Sequence, residues 1–198
     1  MNLPNKLTVS RFALTVAFLA VMFSEFPHHY HTTIALVFFA VGGVTDFLDG
    51  HIARRDKLIT NFGILMDPLA DKILVCSAFI AFVGLNWIPA WMVVLVVARE
   101  LVITGLRLLA ASKNLVLAAE GYGKHKTISQ IVAIVSILVW HSYQEWGSLG
   151  RTLFGPEIFG APWVRWFMEI SIWIAVVLTF TSGAIYLWKN RRLYLDEM

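Results

Sequence analysis

Two segments of an otherwise apolar chain carry four aspartates, two glycines and an arginine at fixed intervals. They are Asp46-Phe47-Leu48-Asp49-Gly50-His51-Ile52-Ala53-Arg54 and, eight residues on, Gly63-Ile64-Leu65-Met66-Asp67-Pro68-Leu69-Ala70-Asp71. On a helix, Asp46 and Asp49 are i and i+3 and share a face; Asp67 and Asp71, at i and i+4, do the same on the next helix. Two such faces turned toward each other make a cage of four hard oxygen donors, which suits Mg²⁺ or Mn²⁺. Carboxylates at membrane depth are costly, and four of one sign repel unless cations sit between them, so the cluster marks a functional site. Two divalent ions held there can clamp a diphosphate and stabilise charge on a leaving phosphate. Phosphoryl transfer needs positioning and charge neutralisation more than covalent help, and this inventory suits it. Gly50 and Ala53 leave room for a ligand to approach the backbone, and Arg54 offers a bidentate fork to phosphate. Pro68 either kinks the helix and re-aims Asp67 or is simply tolerated, as membrane-helix prolines are.

The elements that position these residues follow from composition. The chain has 198 residues, 58% hydrophobic and only 15% charged, well under the roughly 25% charged residues of soluble domains. Apolar runs of roughly 17–25 residues predict six membrane-spanning helices, at about 8–24, 32–54, 61–84, 88–111, 126–146 and 166–189. The expectation is an all-α integral membrane bundle of six transmembrane helices, one domain over residues 1–198, with a cytoplasm-facing active site. The first segment lacks a small-residue cleavage site and reads as an uncleaved helix. Residues 147–165, rich in Gly and Pro, read as the longest loop-like connection. The single Cys76 excludes an internal disulfide.

Lysine and arginine placement sets the orientation. Lys6, Arg11, Arg54, Arg55, Lys57, Lys113, Lys124, Lys126, Lys189, Arg191 and Arg192 fall on one side, and only Arg151 and Arg165 on the other. The positive-inside rule puts both termini in the cytoplasm, with the tryptophans near 87–91, 140–146 and 163–166 as an outer aromatic belt. The location implied is the inner (cytoplasmic) membrane, multi-pass. Asp46 and Asp67 then lie roughly 10 Å from the cytoplasmic helix ends, within reach of a lipid headgroup and of a soluble co-substrate. No feature points to nucleic acid.

The spacing D-x2-D-G-x2-A-R-x8-G-x3-D-x3-D, with every fixed position filled, resembles the signature of the CDP-alcohol phosphotransferase family. The resemblance implies that Asp46, Asp49 and Asp67 bind one metal and Asp46, Asp67 and Asp71 a second. It implies that Asp71 is also the catalytic general base toward an acceptor alcohol. Gly50, Arg54 and Thr60 resemble positions that hold the CDP moiety, and a homodimer is what the family leads one to expect. Asn5 and Thr8 either contact the nucleotide of the CDP-lipid or merely cap the first helix.

Leu3-Pro4-Asn5-Lys6-Leu7-Thr8-Val9-Ser10-Arg11 is similar to the N-terminal stretch of the family's bacterial phosphatidylglycerophosphate synthases, and Asn61-Phe62-Gly63 through Asp67-Pro68-Leu69-Ala70-Asp71-Lys72, Arg99-Glu100, Leu106-Arg107 and Gly123-Lys124-His125-Lys126-Thr127 resemble that branch elsewhere in the chain. That branch implies transfer from CDP-diacylglycerol to sn-glycerol 3-phosphate, releasing CMP; the alternative is another acceptor, of the cardiolipin synthase or phosphatidylinositol-phosphate synthase type. A dianionic acceptor needs cations beyond the metals. Arg99 and Arg107, about 80° apart around the fourth helix, together with Lys124, are the expected glycerol-phosphate site. The competing readings are an internal salt bridge of Arg99 with Glu100 or an aspartate, and snorkelling of Arg107 and Lys124. An ion or proton transporter is the rival class, since carboxylates in the membrane also mark ion routes, but no repeat pairs the two halves. His28, His29 and His31 lack ligand spacing and are not expected to bind metal, and Lys189, Arg191 and Arg192 read as anionic-lipid contacts.

Overall fold

A computed structural model describes residues 3–24, 30–56, 61–112, 115 and 122–191, with the side chains of residues 3–8, 46–56, 61–71 and 122–124 outside that description. In chain order the elements are α1 (Leu3–Met22), α2 (His31–Asp56), α3 (Asn61–Gly84), α4 (Ala90–Ser112) and α5 (Tyr122–Ser142). A 3₁₀ turn (Tyr143–Trp146), α6 (Gly147–Phe154), β1 (Glu157–Ile158), β2 (Ala161–Pro162) and α7 (Trp163–Lys189) follow. The six long helices run from 20 to 27 residues. At about 1.5 Å per residue each matches or exceeds the roughly 30 Å apolar core of a bilayer.

Helix ends depart from the hydropathy boundaries where polar residues open or close an element. α5 starts at Tyr122, ahead of the apolar run, because a helix accommodates Lys124 and Lys126 as readily as it does apolar residues. It stops at Ser142, where the chain tightens into the 3₁₀ turn. The 147–165 connection is not a plain loop: it contains α6 and a two-stranded hairpin. In that hairpin Ile158 pairs with Ala161, leaving Phe159 and Gly160 at the tip. Both have positive φ, 53° and 79°, the conformation that a two-residue turn of this twist requires. α3 continues through Pro68 to Gly84.

Packing follows the periodicity of the buried positions. α4 buries Met92, Val96, Glu100, Ile103, Leu106 and Ala110, a stripe at helical spacing. α7 buries Ser171, Ala175, Thr179, Ser182 and Gly183, small residues that allow close approach. α5 lies along α7, α1 along α2 and α3, and α4 against α7 and α3. Buried polar bonds tie α5 to α7: Gln130 Nε2 donates to Thr179 Oγ1 at 3.0 Å, and Ser136 and Ser171 share a 2.6 Å hydroxyl bond. Phe18, Phe39, Phe79, Phe82, Ile134 and Leu138 fill the centre.

The exterior is apolar. Val16, Val37, Ile80, Val94, Leu101 and Phe180 are all exposed, a surface that hydrocarbon accepts and water does not. Among the described residues one helix, Trp163–Lys189, is long and apolar enough to cross a membrane by length and composition, and Val9–Met22, His31–Thr45 and Lys72–Gly84 form shorter apolar stretches.

The end of the bundle opposite the aspartates is closed by a clamp on α2. Glu145 accepts from the backbone N–H groups of Thr32 (3.3 Å) and Thr33 (3.0 Å) and from Thr33 Oγ1 (2.5 Å). The two N–H groups are orphan donors of the first helical turn, capped here by a carboxylate from far along the chain. Trp146 Nε1 donates to Thr33 Oγ1 at 2.8 Å, and His31 Nδ1 lies 3.8 Å from the same carboxylate.

Candidate active site

The aspartate segments occupy the C-terminal half of α2 and the N-terminal half of α3. Both stretches are helical throughout, so the i, i+3 and i, i+4 spacings become helical neighbours as expected. The side chains of Asp46, Asp49, Gly50, Arg54, Asp67 and Asp71, and those of Asn5, Thr8 and Lys124, lie outside the described part of the structure, as does Thr60 altogether. Among the described residues no group of three or more His, Cys, Asp or Glu side chains is placed to hold a metal ion. The donor chemistry of the two aspartate pairs fits a hard divalent cation, being all carboxylate oxygen with no thiol or imidazole.

Directly after Asp71, where side chains are described again, Lys72 belongs to a charge cluster that spans three helices. Glu100 on α4 is 4% exposed and Lys126 on α5 is 5% exposed. Lys126 Nζ donates to Glu100 Oε1, and Arg99 Nη1 reaches the same oxygen at 3.3 Å. Lys72 Nζ on α3 lies 3.8 Å from Glu100 Oε2 and donates to Thr104 Oγ1 at 2.7 Å. Arg99 Nη2 also reaches Ser182 Oγ on α7, at 3.4 Å. A buried carboxylate is tolerated only when paired and hydrogen-bonded, and here it has three cationic neighbours. A cavity of about 20 Å³ lies between Lys72, Cys76, Glu100, Lys126 and Gln130.

Two of the three expected acceptor-site residues are thereby placed. Arg99 is half-buried at the cluster and forms the internal salt bridge with Glu100 that was its competing reading. It packs against the bare backbone of Gly183, where an added Cβ would stand 2.9 Å from Arg99 Cγ. Arg107, two turns on, is exposed; its Nε donates to Tyr186 Oη at 3.4 Å and its guanidinium lies 5.7 Å from the Tyr186 ring centre. Both arginines therefore reach α7 residues. Sequence reasoning missed Lys72, Glu100 and Lys126 as a unit. The signal available was that Glu100 is the one acidic residue in the whole of α4.

The sequence puts carboxylates on α2 and α3, and the described side chains add the half-buried Lys72 and Arg99 and the buried Lys126. Such a pairing handles phosphates: cation-binding carboxylates for one group and fixed positive charge for another.

Known proteins agree. The family of CDP-alcohol phosphatidyltransferases matches residues 1–181. A Bacillus subtilis protein named CDP-diacylglycerol–glycerol-3-phosphate 3-phosphatidyltransferase is 38% identical, over 96% of this chain and 95% of its own length. A Cereibacter sphaeroides protein of the same name is 31% identical, over 99% and 98%. A Mycobacterium tuberculosis protein named probable phosphatidylglycerophosphate synthase is 40% identical over 67% of this chain and 64% of its own. With an acidic signature on two successive helices and a match over nearly its full length, the chain belongs to the CDP-alcohol phosphatidyltransferase family.

Proposed function

We propose that the protein transfers the phosphatidyl group of CDP-diacylglycerol to sn-glycerol 3-phosphate, giving phosphatidylglycerophosphate and CMP. The observation that carries this reading is the match, over nearly the whole chain, to relatives whose names state that reaction. The aspartate signature supports it by supplying the groups such a transfer needs.

In this reading Asp46, Asp49 and Asp67 would hold one Mg²⁺ or Mn²⁺, and Asp46, Asp67 and Asp71 would hold a second. When bound, the pair supplies charge neutralisation at the diphosphate. Asp71 accepts the proton of the acceptor's primary hydroxyl as that oxygen bonds to the β-phosphorus of the CDP-lipid. The bond from that phosphorus to the bridging oxygen breaks, and CMP leaves with the electron pair. Gly50 gives the nucleotide close access to the α2 backbone, Arg54 and Thr60 contact its phosphates and sugar, and Asn5 and Thr8 approach from α1. Arg99, Arg107 and Lys124 attract the phosphate of the acceptor.

The same reading makes the chain one domain of six membrane spans in the cytoplasmic membrane, with both termini and the aspartates on the cytoplasmic side, working as a homodimer. Helices of 20 to 27 residues and the apolar exterior support that placement. The test is CMP release from CDP-diacylglycerol by purified protein in detergent micelles. Release that requires Mg²⁺ or Mn²⁺ together with sn-glycerol 3-phosphate is the expected result. Preference for phosphatidylglycerol or inositol phosphate would reassign the acceptor, and release that ignores any added alcohol would overturn the reading.

A further inference from the structure

We propose that Glu100 is a positioning residue: its buried carboxylate gathers Lys72, Arg99 and Lys126 and acts as their stand-in counter-ion until the phosphate of the acceptor takes up their surplus charge. The proposal rests on the phosphatidyl-transfer reading above.

Four observations lead to it. First, the cations come from three helices and divide between the two oxygens, Lys126 and Arg99 at Oε1 and Lys72 at Oε2. One carboxylate thus fixes α3, α4 and α5 relative to each other. Second, among the described residues three positive charges meet one negative, a local surplus of two in a buried setting where unbalanced charge is costly. A phosphate monoester near neutral pH carries close to that charge with opposite sign. Third, the buried Arg99 Nε has no hydrogen-bond partner among the described residues, although buried donors are normally satisfied. Fourth, the cavity among these groups, about 20 Å³, admits a water-sized group and not a phosphate. Glu100 therefore holds the cationic groups in place, and an arriving phosphate draws on charges already assembled.

Stability alone does not account for the cluster. Buried ion clusters are often no more stabilising than apolar residues of the same volume. Lys72 also follows Asp71 directly in the chain, so whatever fixes its amine sits against the acidic end of α3.

The experiment is CMP release with the two substrates varied separately, for the parent, Glu100→Gln and Glu100→Asp, with thermal unfolding in the same micelles. Glu100→Gln should raise the KM for sn-glycerol 3-phosphate by about tenfold and leave that for CDP-diacylglycerol within about twofold, because only the acceptor relies on these charges. Glu100→Asp, which keeps the charge, should recover most of the difference. Equal rises in both KM values, or a fall in kcat alone, would overturn the proposal, since a loosened fold or a role toward the diphosphate predicts those. If Glu100→Gln does not fold, Lys72→Gln at the half-buried edge of the cluster must show the same split, and an unchanged acceptor KM there counts against the proposal. A parent that releases no CMP with any acceptor would instead refute the functional reading itself.

Discussion

Lys72 Nζ on α3 donates a 2.7 Å hydrogen bond to Thr104 Oγ1 on α4, and that hydroxyl in turn donates, at 2.7 Å, to the backbone carbonyl of Glu100. One hydroxyl thus relays a contact from the residue after Asp71 to the backbone of the charge cluster. Thr104→Val keeps the shape and removes both bonds, which should cost about 1 kcal/mol. Unfolding in detergent should show that loss, with Thr104→Ser indistinguishable from the parent. A valine variant as stable as the parent would mean that water replaces the hydroxyl.

Asp67→Asn and Asp71→Asn each keep size and lose a charge. Each should lower kcat for CMP release by roughly 10²–10³ with little change in unfolding temperature, as expected for groups that stabilise developing charge. Either variant turning over at the parent's rate would remove that aspartate from the mechanism.

Arg107 is exposed yet anchored by Tyr186, so its charge is held near the α7 face at modest desolvation cost. Arg107→Ala should raise the KM for sn-glycerol 3-phosphate by about tenfold, in line with loss of one charge-assisted phosphate contact, and barely move that for CDP-diacylglycerol. Tyr186→Phe removes only the phenolic oxygen and should have a much smaller effect. An acceptor KM unchanged in Arg107→Ala would leave the guanidinium a surface group.

Glu145 satisfies two backbone donors and one hydroxyl at the first turn of α2, and a negative charge there also complements the helix dipole. Glu145→Ala should destabilise the protein by about 1–2 kcal/mol, and Glu145→Gln by less, because an amide oxygen still accepts. Since this clamp closes the end of α2 remote from Asp46, the KM for either substrate should stay at the parent value in folded protein. A rise in KM without loss of stability would contradict a capping role.

The residues differ in how far they could be read without coordinates. The long helices were legible because an apolar run reports its own burial, and the helical neighbourhood of Asp46 with Asp49 and of Asp67 with Asp71 because that spacing is local and periodic. The Glu100 cluster was not: Lys126 lies 26 positions from Glu100, and Thr104 lies 32 from Lys72. Such pairings are set by which helices pack together, and no short-range pattern records that. Arg99 shows the boundary well. Its depth in an apolar helix marked it as functional or paired, with the adjacent Glu100 a named candidate, and only the packing of α4 against α7 adds Ser182 as a partner. The 147–165 connection read as loop because Gly147 and Gly160 punctuate it. Those same glycines, at φ values of 62° and 79°, are what allow a short helix and a tight hairpin to fit there.

The clamp on α2 has a consequence for how the chain is made. Glu145 lies 113 residues after Thr32, so α2 emerges from the ribosome long before its capping acid has been synthesised. The helix that carries Asp46 and Asp49 is finished at its far end only when α5 has been laid down and the turn after it has folded back. A nascent chain stopped short of Glu145 would hold the early helices with that first turn unsecured, and maturation of the acidic pair becomes a late event in biogenesis.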